Sequence, residues 1–259
     1  MRDEITILVL TFNEAPNIER TLGQLTWAKH ILVLDSFSND GTLDLAKTAF
    51  PHVRILQRPF DSFAGQCNFG LSQITTEWVL SIDADYVLTP ELIAEIAALD
   101  PPPDVAGYSV DFRYCIFGHP LSSTVYPART VLYRRQLAKY RDEGHGHRVV
   151  VDGNVAKLSG KIDHDDRKPF SQWIRAQDKY ALVEARHLLS MPLDRLSFQD
   201  RLRRNFFWAA PAMFLYLLFV RGLIFDGWPG WFYVCQRTIA ELLLSIRLLI
   251  ERHHLEHEE

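Results

Sequence analysis

Short apolar runs alternate with amphipathic segments through the first hundred residues of the chain. The runs are rich in β-branched residues, which is typical of strands buried on both faces of a parallel sheet. We expect strands at residues 5–10, 31–34, 53–56 and 78–82, and helices at 17–25, 42–50 and 64–73. Strands that alternate with helices in this way predict an α/β fold with a mostly parallel sheet.

This alternation ends at three consecutive prolines, residues 101–103. Beyond them the pattern predicts strands at 106–117 and 129–134, a polar stretch at 141–168 and a helix at 170–190. From Phe206 onward the chain becomes strongly apolar. We therefore expect one α/β domain over residues 1–199 and a separate helical appendage over residues 200–259.

Polar clusters follow three of the predicted strands. The first reads Thr11-Phe12-Asn13-Glu14, the second runs from Asp35 to Thr42, and the third is Asp83-Ala84-Asp85. Open α/β sheets bind their ligands at the carboxyl ends of the strands, so these clusters predict a ligand site.

The third cluster holds two carboxylates one residue apart at a strand end. Hard oxygen ligands of this kind suit Mg²⁺ or Mn²⁺ and can hold the cation against a diphosphate. Taken alone, Asp83 and Asp85 are better explained as a pair of solvated loop acids, because two acids at this spacing are common in proteins. The other two clusters favour the metal site.

The segments LTFNEAPNI, VLDSFSNDGT and SIDAD together resemble the family 2 glycosyltransferases, which have the GT-A fold, a Rossmann-like and mostly parallel sheet. The resemblance covers the first hundred residues. It implies a nucleoside pocket and a divalent metal, Mg²⁺ or Mn²⁺, that holds the diphosphate of a nucleotide-sugar, with a UDP-sugar favoured.

Carried onto this sequence, the resemblance assigns Thr11, Asn13 and Glu14 to the base and ribose and Asp35 to the edge of uracil or another base. Asp83 would meet the ribose or the metal, and Asp85 would bind the metal. The positions implied at the nucleotide are therefore Thr11, Asn13, Glu14, Asp35, Asp40, Asp83 and Ala84. For Asp40 and Thr42, capping of the following helix is an alternative.

The stretch QRPFDSFAGQCNFGL resembles a subgroup that includes lipopolysaccharide-core glucosyltransferases. This likeness adds Arg58 as a phosphate partner and Gln66 and Asn68, close together on one helix, as nucleotide contacts. A surface arginine and an ordinary helical turn explain the same residues equally well.

An inverting transfer needs a base near the acceptor hydroxyl. Relatives of the lipopolysaccharide type carry a His-Glu pair here, whereas this chain reads RDEGHGHR, so the glutamate is absent from the matching position. The candidates are Asp142, Glu143 and His145, with Asp142 preferred. His164, which follows the strand LSGKI, is a candidate metal ligand, because relatives carry a histidine there, although a charged turn is the alternative.

The C-terminal region predicts an apolar helical hairpin. Residues 206–220 form an uncharged run of fifteen residues, and residues 231–250 form a second helix that carries three charges. The first run is short for a membrane span, so we expect the hairpin to lie at the membrane interface, with Arg201, Arg203 and Arg204 facing headgroups. Packing on the catalytic domain, or homo-oligomer formation through these helices, is the alternative.

The amino-acid composition limits the classes of binding partner and the compartment that we expect for the chain. A formal net charge of -4 gives no support for nucleic-acid binding. The three cysteines are widely spaced without a CxxC pair, which suits a reducing compartment. The first residues lack the features of a signal peptide. We therefore expect a cytoplasmic protein, peripheral on the inner face of the cytoplasmic membrane.

These observations predict a metal-dependent, inverting hexosyltransferase that moves a sugar from a nucleotide-sugar to a lipid-linked or cell-envelope glycan. One alternative is a sugar-1-phosphate nucleotidyltransferase, although TFNEAPNI lacks the glycine-rich loop of that class. The other is a non-catalytic scaffold with the same fold.

Overall fold

The computed structural model describes residues 4–143, 146–204 and 208–258. The chain divides into two compact units, one made of Met1–Pro120 with Thr124–Arg167 and the other of Leu121–Ser123 with Lys168–Glu259. The second unit therefore begins well before residue 200, where the sequence places the domain boundary. The reason is that the long helix starting at Phe170 packs with the C-terminal helices.

The first unit contains eleven strands and four helices among its described residues. They are β1 (Ile5–Thr11), α1 (Ile18–Gly23), β2 (His30–Asp35), α2 (Thr42–Ala49), β3 (Arg54–Gln57), α3 (Phe63–Ser72), β4 (Trp78–Asp83), β5 (Tyr86–Leu88), α4 (Pro90–Ala98), β6 (Val105–Ile116), β7 (His119–Pro120), β8 (Arg129–Arg134), β9 (Ala138–Glu143), β10 (Gly146–Val151) and β11 (Asn154–His164). Every strand and helix predicted before residue 100 is present, with small shifts at the ends. The sequence pattern did not predict β5, α4 or the β9–β10 hairpin. This hairpin lies partly in the polar stretch at residues 141–168.

The main sheet has the order β3-β2-β1-β4-β8-β6-β11-β5. The four strands β1 to β4 are parallel neighbours. Beyond β4 the sheet is mixed, because β8 runs antiparallel to both β4 and β6, whereas β6 and β11 are parallel. The predicted α/β fold is confirmed, and its parallel part coincides with the alternating strand and helix pattern.

Both faces of the parallel strands are buried. Along β1, Ile5, Ile7 and Val9 enter one apolar cluster, whereas Leu8 enters a second cluster that includes residues of α3. Successive side chains of a strand point to opposite faces, so a strand covered on both sides must be apolar at every position. This explains why the predicted strands read as continuous apolar runs.

Helix α4 packs directly against β11 at Gly160 of that strand. A Cβ atom built on Gly160 would stand 2.5 Å from Cα of Leu92, which is backbone and cannot turn aside. Leu92 and Ile96 of α4 are fully buried in the larger cluster. The absence of a side chain at Gly160 is therefore what allows this close packing.

The second unit is helical throughout its described residues. Its elements are α5 (Phe170–Ser190), α6 (Phe198–Arg204), α7 (Ala209–Leu215), a π-helical turn (Tyr216–Val220), a short 3-10 turn (Leu223–Asp226) and α8 (Gly227–Glu258). Its core joins α5 to α8 through Ala181, Ala185, Leu188, Leu196, Leu244 and Leu248. The predicted helix at 170–190 is confirmed.

The second C-terminal helix begins four residues before its predicted start at residue 231. Helix α8 already begins at Gly227, so Trp228, Pro229 and Gly230 are helical, and the chain turns before them. Proline is tolerated there because the amides of a first helical turn have no intrahelical acceptor.

The arginines before the apolar run are held by contacts inside this unit. Arg203 pairs with the buried Glu241 at 2.7 Å. Arg204 donates to the carbonyl of Met191 at 2.9 Å, and Arg201 donates to the carbonyl of Leu196 at 3.0 Å. The charge of Arg203 is therefore paired within this unit, whereas Arg201 and Arg204 bond only backbone carbonyls there. That these arginines face lipid headgroups stays a prediction.

Within the described ranges, no single helix is long and apolar enough to cross a membrane. The segments Ala209–Val220 and Leu223–His254 meet the length and composition criteria only when taken as a pair, and the pair is bent by 73°.

We expect Gly160→Ala to destabilise the first unit by about 1–3 kcal/mol, because the new methyl group must displace the backbone of α4. The measurement is the free energy of unfolding from urea titration. Gly23→Ala is the matched control, since a Cβ there has its nearest neighbour at 3.9 Å and we expect little change. Equal stability of the two variants would contradict the proposed close packing.

Candidate functional site

Three of the predicted site residues lie at one edge of the sheet. Strand β1 stands between β2 and β4, and the strand register places Thr11 opposite Asp35 and Leu10 opposite Asp83. Thr11, Asp35 and Asp83 therefore occur at the carboxyl ends of adjacent parallel strands. This is the edge at which open α/β sheets bind ligands.

The Asp35 side chain is fully buried and organises the loop after β2. Its carboxylate accepts hydrogen bonds from the Ser38 amide at 2.9 Å, the Ser38 hydroxyl at 2.5 Å and the Gln57 amide nitrogen at 3.0 Å. Both oxygens are already engaged within the protein. Asp35 thus supports the loop in addition to any contact with a ligand.

The loops after β1 and β2 are tied together by hydrogen bonds between backbone and side chains. The amide of Asn13 donates to Ser38 Oγ at 2.8 Å, and its side-chain oxygen accepts from the Asn39 amide at 2.9 Å. The Glu14 amide donates to Thr42 Oγ1 at 2.8 Å. These contacts hold the two loops at fixed positions relative to each other.

Asp40 belongs to the same network. Its carboxylate accepts from the Ala15 amide at 3.1 Å and from the Thr42 amide and hydroxyl at 3.1 and 2.5 Å. The residue at the N-cap of α2 is Gly41, with φ of 94° and no side-chain cap. Asp40 and Thr42 therefore join the two loops, and Asp40 also accepts the amide of Thr42, the first residue of α2, which agrees with the capping alternative for Asp40.

Thr11 differs from the neighbouring Asp35 in the hydrogen bonding of its side chain. Its hydroxyl is buried and has no hydrogen-bond partner among the residues that the structure describes. An unpaired buried hydroxyl costs free energy, so at this edge the Thr11 hydroxyl can take a ligand group or a water molecule as its partner. Phe12 and Phe37, on the adjoining loops, are more than half exposed, and the sequence analysis did not single them out.

His164 meets Asp85 in the structure. His164 ends β11, and its Nε2 lies 3.2 Å from Oδ2 of Asp85, which is buried. The imidazole ring contacts the rings of Tyr86, Tyr114 and Tyr126. Burial alone would lower the pKa of His164, but the adjacent Asp85 carboxylate outweighs it, so the pKa is raised above its ordinary value.

Asp83 and Asp85, with His164, carry the right donor atoms for a divalent cation. Across the described ranges, however, no three such side chains converge closely enough to form a metal site by themselves. Mg²⁺ is commonly held by one or two carboxylates together with substrate phosphates and water. These residues therefore fit a cation that binds together with a nucleotide.

The Arg58, Gln66 and Asn68 side chains form hydrogen bonds within the protein. Gln66 is buried and donates to Ser36 Oγ at 3.0 Å and to the Arg58 carbonyl at 2.9 Å. Asn68 makes two hydrogen bonds to the backbone of Tyr140. Arg58 forms a bidentate pair with Asp61. Gln66 accepts from the Arg58 guanidinium at 3.2 Å, whereas Asn68, two residues further along α3, faces Tyr140. A joint role of Gln66 and Asn68 at the nucleotide stays a prediction.

The candidate bases are only partly described. Asp142 lies on β9, and its Oδ1 accepts from the Ala64 amide in the first turn of α3 at 3.0 Å. It therefore has a structural role at that helix end. His145 and the side chain of Glu143 lie outside the described residues.

Three residues near Asp83 were not predicted. The Tyr86 and Tyr126 hydroxyls lie 2.6 Å apart, and the Arg129 guanidinium lies 4.6 Å from the centre of the Tyr126 ring. Burial, together with the charge of Asp83, raises the pKa of both tyrosines, that of Tyr126 to about 12. They remain neutral near pH 7 and can act as hydrogen-bond donors.

The chain is similar to known glycosyltransferases. The family model described as Glycosyl transferase family 2 matches residues 6–155. The lipopolysaccharide core biosynthesis glycosyltransferase LpsC of Rhizobium meliloti is 25% identical over 97% of this chain and 93% of its own. A glycosyltransferase of Rickettsia conorii, RC0292, is 30% identical over 88% and 84%. The crystal structure of S. aureus TarS 1-349 superposes with a TM-score of 0.48 and 14% identity, over 98% of this chain and 92% of TarS.

We expect Thr11→Val to leave the free energy of unfolding unchanged or raised, because it removes a buried hydroxyl that has no partner. The measurement is chemical denaturation without ligand. Thr42→Val is the matched control: its buried hydroxyl bonds both Glu14 and Asp40, so we expect a loss of about 1–3 kcal/mol. If Thr11→Val lowers the free energy of unfolding as much as Thr42→Val does, the Thr11 hydroxyl is bonded within the protein.

Proposed function

The chain belongs to glycosyltransferase family 2, and we propose that it is a metal-dependent, inverting hexosyltransferase that moves a sugar from a nucleotide-sugar to a lipid-linked or cell-envelope glycan. The observation that carries the proposal is the shared edge of β1, β2 and β4, where Thr11, Asp35 and Asp83 lie together beside the Asp85–His164 pair. This arrangement joins a pocket of hydrogen-bonding groups to a set of cation ligands.

The nucleoside lies over β1 and β2 in this proposal. Thr11 supplies an unpaired hydroxyl, and Asn13, Glu14 and Asp35 hold the surrounding loops while presenting their remaining acceptors to base and ribose. The exposed rings of Phe12 and Phe37 are suited to stacking on a base. We favour uridine nucleotides.

The diphosphate lies over β4. Asp83, Asp85 and His164 would hold Mg²⁺ or Mn²⁺, which when bound neutralises the charge that develops on the departing diphosphate. The aromatic contacts around His164 orient its ring, and its Nε2 faces Asp85. The protein thereby fixes the position of the carboxylate that is closest to the phosphates.

Inversion requires a base that removes the acceptor proton while the new glycosidic bond forms at C1 and the diphosphate leaves. We place this role among Asp142, Glu143 and His145. Asp142 retains a second carboxylate oxygen beyond the one bonded to Ala64. Asp165 is a weaker candidate, because its carboxylate is engaged by the Gly118 amide and the Arg167 guanidinium.

The proposed acceptor follows from the relatives. LpsC is named for lipopolysaccharide core biosynthesis, and its similarity extends over nearly the full length of both chains. This supports a lipid-linked or cell-envelope glycan as the acceptor. The family match leaves no support for the nucleotidyltransferase alternative.

We also propose that the second unit binds the surface of a membrane. Large apolar side chains around the α7–α8 turn are exposed: Trp208 by 70%, Phe219 by 64%, Val220 by 72% and Phe225 by 90%. Aromatic side chains of this kind are enriched where proteins meet the membrane interface. The only acidic residue between Trp208 and Gly230, Asp226, accepts from the amide and hydroxyl of Ser122.

Attachment at this surface would hold the enzyme beside a lipid-linked acceptor and raise its effective concentration. The location we propose is the inner face of the cytoplasmic membrane, where nucleotide-sugars are made. Assembly of two copies through the same apolar side chains is the competing outcome of the test described below.

We expect Asp85→Asn to lower sugar transfer by about 10²-fold or more, because the cation loses a charged ligand. The measurement is release of nucleoside diphosphate from nucleotide-sugars with Mn²⁺, with EDTA as the metal-free reference. A thermal-shift screen of nucleoside diphosphates with Mn²⁺ identifies the donor, since a true ligand raises the stability of the fold. Asp44→Asn, on the exposed face of α2, is the control and keeps full activity. Activity that survives both EDTA and Asp85→Asn would overturn metal dependence.

We expect the double variant Phe219→Ser/Phe225→Ser to reduce co-sedimentation with phosphatidylglycerol–phosphatidylethanolamine vesicles by roughly tenfold or more, because two apolar side chains no longer insert. Added salt should change binding little, since the nearby arginines are held by hydrogen bonds within the unit. Leu137→Ser/Val155→Ser, which alters exposed aliphatic residues of the first unit, is the control. Loss of a dimer in sedimentation analysis without any change in vesicle binding would favour self-association.

A further inference from the structure

Arg129 occupies the next strand along the ligand-binding edge. It opens β8, which runs antiparallel to β4 with Leu80 opposite Leu132. Arg129 therefore lies at the same edge as Asp83, close enough for the Asp83 charge to act on it. From one side of the edge to the other, the order is therefore Asp35 on β2, Thr11 on β1, Asp83 on β4 and Arg129 on β8.

The charge of Asp83 acts on the Arg129 guanidinium, but the guanidinium forms no hydrogen bond or ion pair with a described residue. It lies over the face of Tyr126 at 4.6 Å from the ring centre. The side chain is partly buried. Partly buried guanidinium donors without an acceptor are costly, so their placement beside the site indicates an acceptor that the described residues do not supply.

We propose that Arg129 binds the distal phosphate of the donor nucleotide, on the side of Asp83 away from the nucleoside. The inference rests on the proposed function, since it takes the nucleoside to lie over β1 and β2. Guanidinium groups bind phosphate oxygens through paired hydrogen bonds, which a lysine cannot reproduce. Arg129 adds a fixed positive charge at a site whose two nearest carboxylates would otherwise repel a diphosphate.

The same strand provides a matched control. Arg134, at the far end of β8, lies over the Trp78 ring with the same 4.6 Å separation. Unlike Arg129, it is satisfied within the protein, because it pairs with Glu77 and donates to the Val105 carbonyl at 3.0 Å. A purely structural stacking role predicts similar effects when either arginine is replaced, whereas phosphate binding predicts an effect on nucleotide affinity at Arg129 alone.

The test is calorimetric titration with Mn²⁺ of the tightest binder among UDP, GDP, ADP, CDP and dTDP, and of its monophosphate. Arg129→Gln is expected to weaken binding of the diphosphate by about ten- to a hundredfold and binding of the monophosphate by less than about threefold. Arg129→Lys should fall between Arg129→Gln and the unmodified protein. Arg134→Gln should leave both affinities unchanged.

Thermal unfolding of each variant without ligand shows whether it is folded, and Arg129→Lys provides the comparison if Arg129→Gln is not. If Arg129→Gln loses affinity equally for diphosphate and monophosphate, or loses affinity for neither, the assignment of Arg129 is overturned while the proposed function stays intact. If the unmodified protein binds none of the five diphosphates, the proposed function itself fails, and the role of Arg129 fails with it.

Discussion

The register between β1 and its two parallel neighbours is the constraint on which the rest of the site depends. It sets Thr11, Asp35 and Asp83 side by side at one edge. A slip of one residue would exchange the two faces of a strand, moving Leu8 into the cluster that holds Ile7 and Val9. The apolar packing that stabilises the sheet is therefore also what aligns the polar groups at its end.

The loops beyond that edge are held rigidly by the same residues that the family pattern places at the ligand. Asp35 fixes Ser38, Asp40 joins Ala15 to Thr42, and Asn13 adopts a left-handed conformation with φ of 55°. Each such contact uses part of a side chain's hydrogen-bonding capacity. These contacts hold the loops in place without a ligand, and among the described residues the Thr11 hydroxyl has no hydrogen-bond partner.

The parallel part of the fold was predictable because short, continuous segments of the sequence determine its strands and the polar clusters after them. Each strand is a continuous apolar run, and each polar cluster follows directly in the chain. Tyr126 and Arg129 were not predictable in this way, since they reach Tyr86 and Asp83 only through the antiparallel β4–β8 pairing. Likewise, the two hydrogen bonds between Asn68 and the Tyr140 backbone depend on how β9 packs on α3, which no local pattern contains.

Charge balance explains why these distant pieces meet where they do. Asp83 and Asp85 put two carboxylates at the edge, and a diphosphate brought beside them adds further negative charge. Burial lowers the pKa of His164, but Asp85 together with Asp166 and Asp83 raises it above its ordinary value, and the Arg129 guanidinium is held over Tyr126 near the same carboxylates. In the proposed function Arg129 offsets part of the repulsion, and a divalent cation held by Asp83, Asp85 and neutral His164 would offset more. The sheet thus positions one fixed positive group, Arg129, beside carboxylates that would hold a metal bound with the nucleotide.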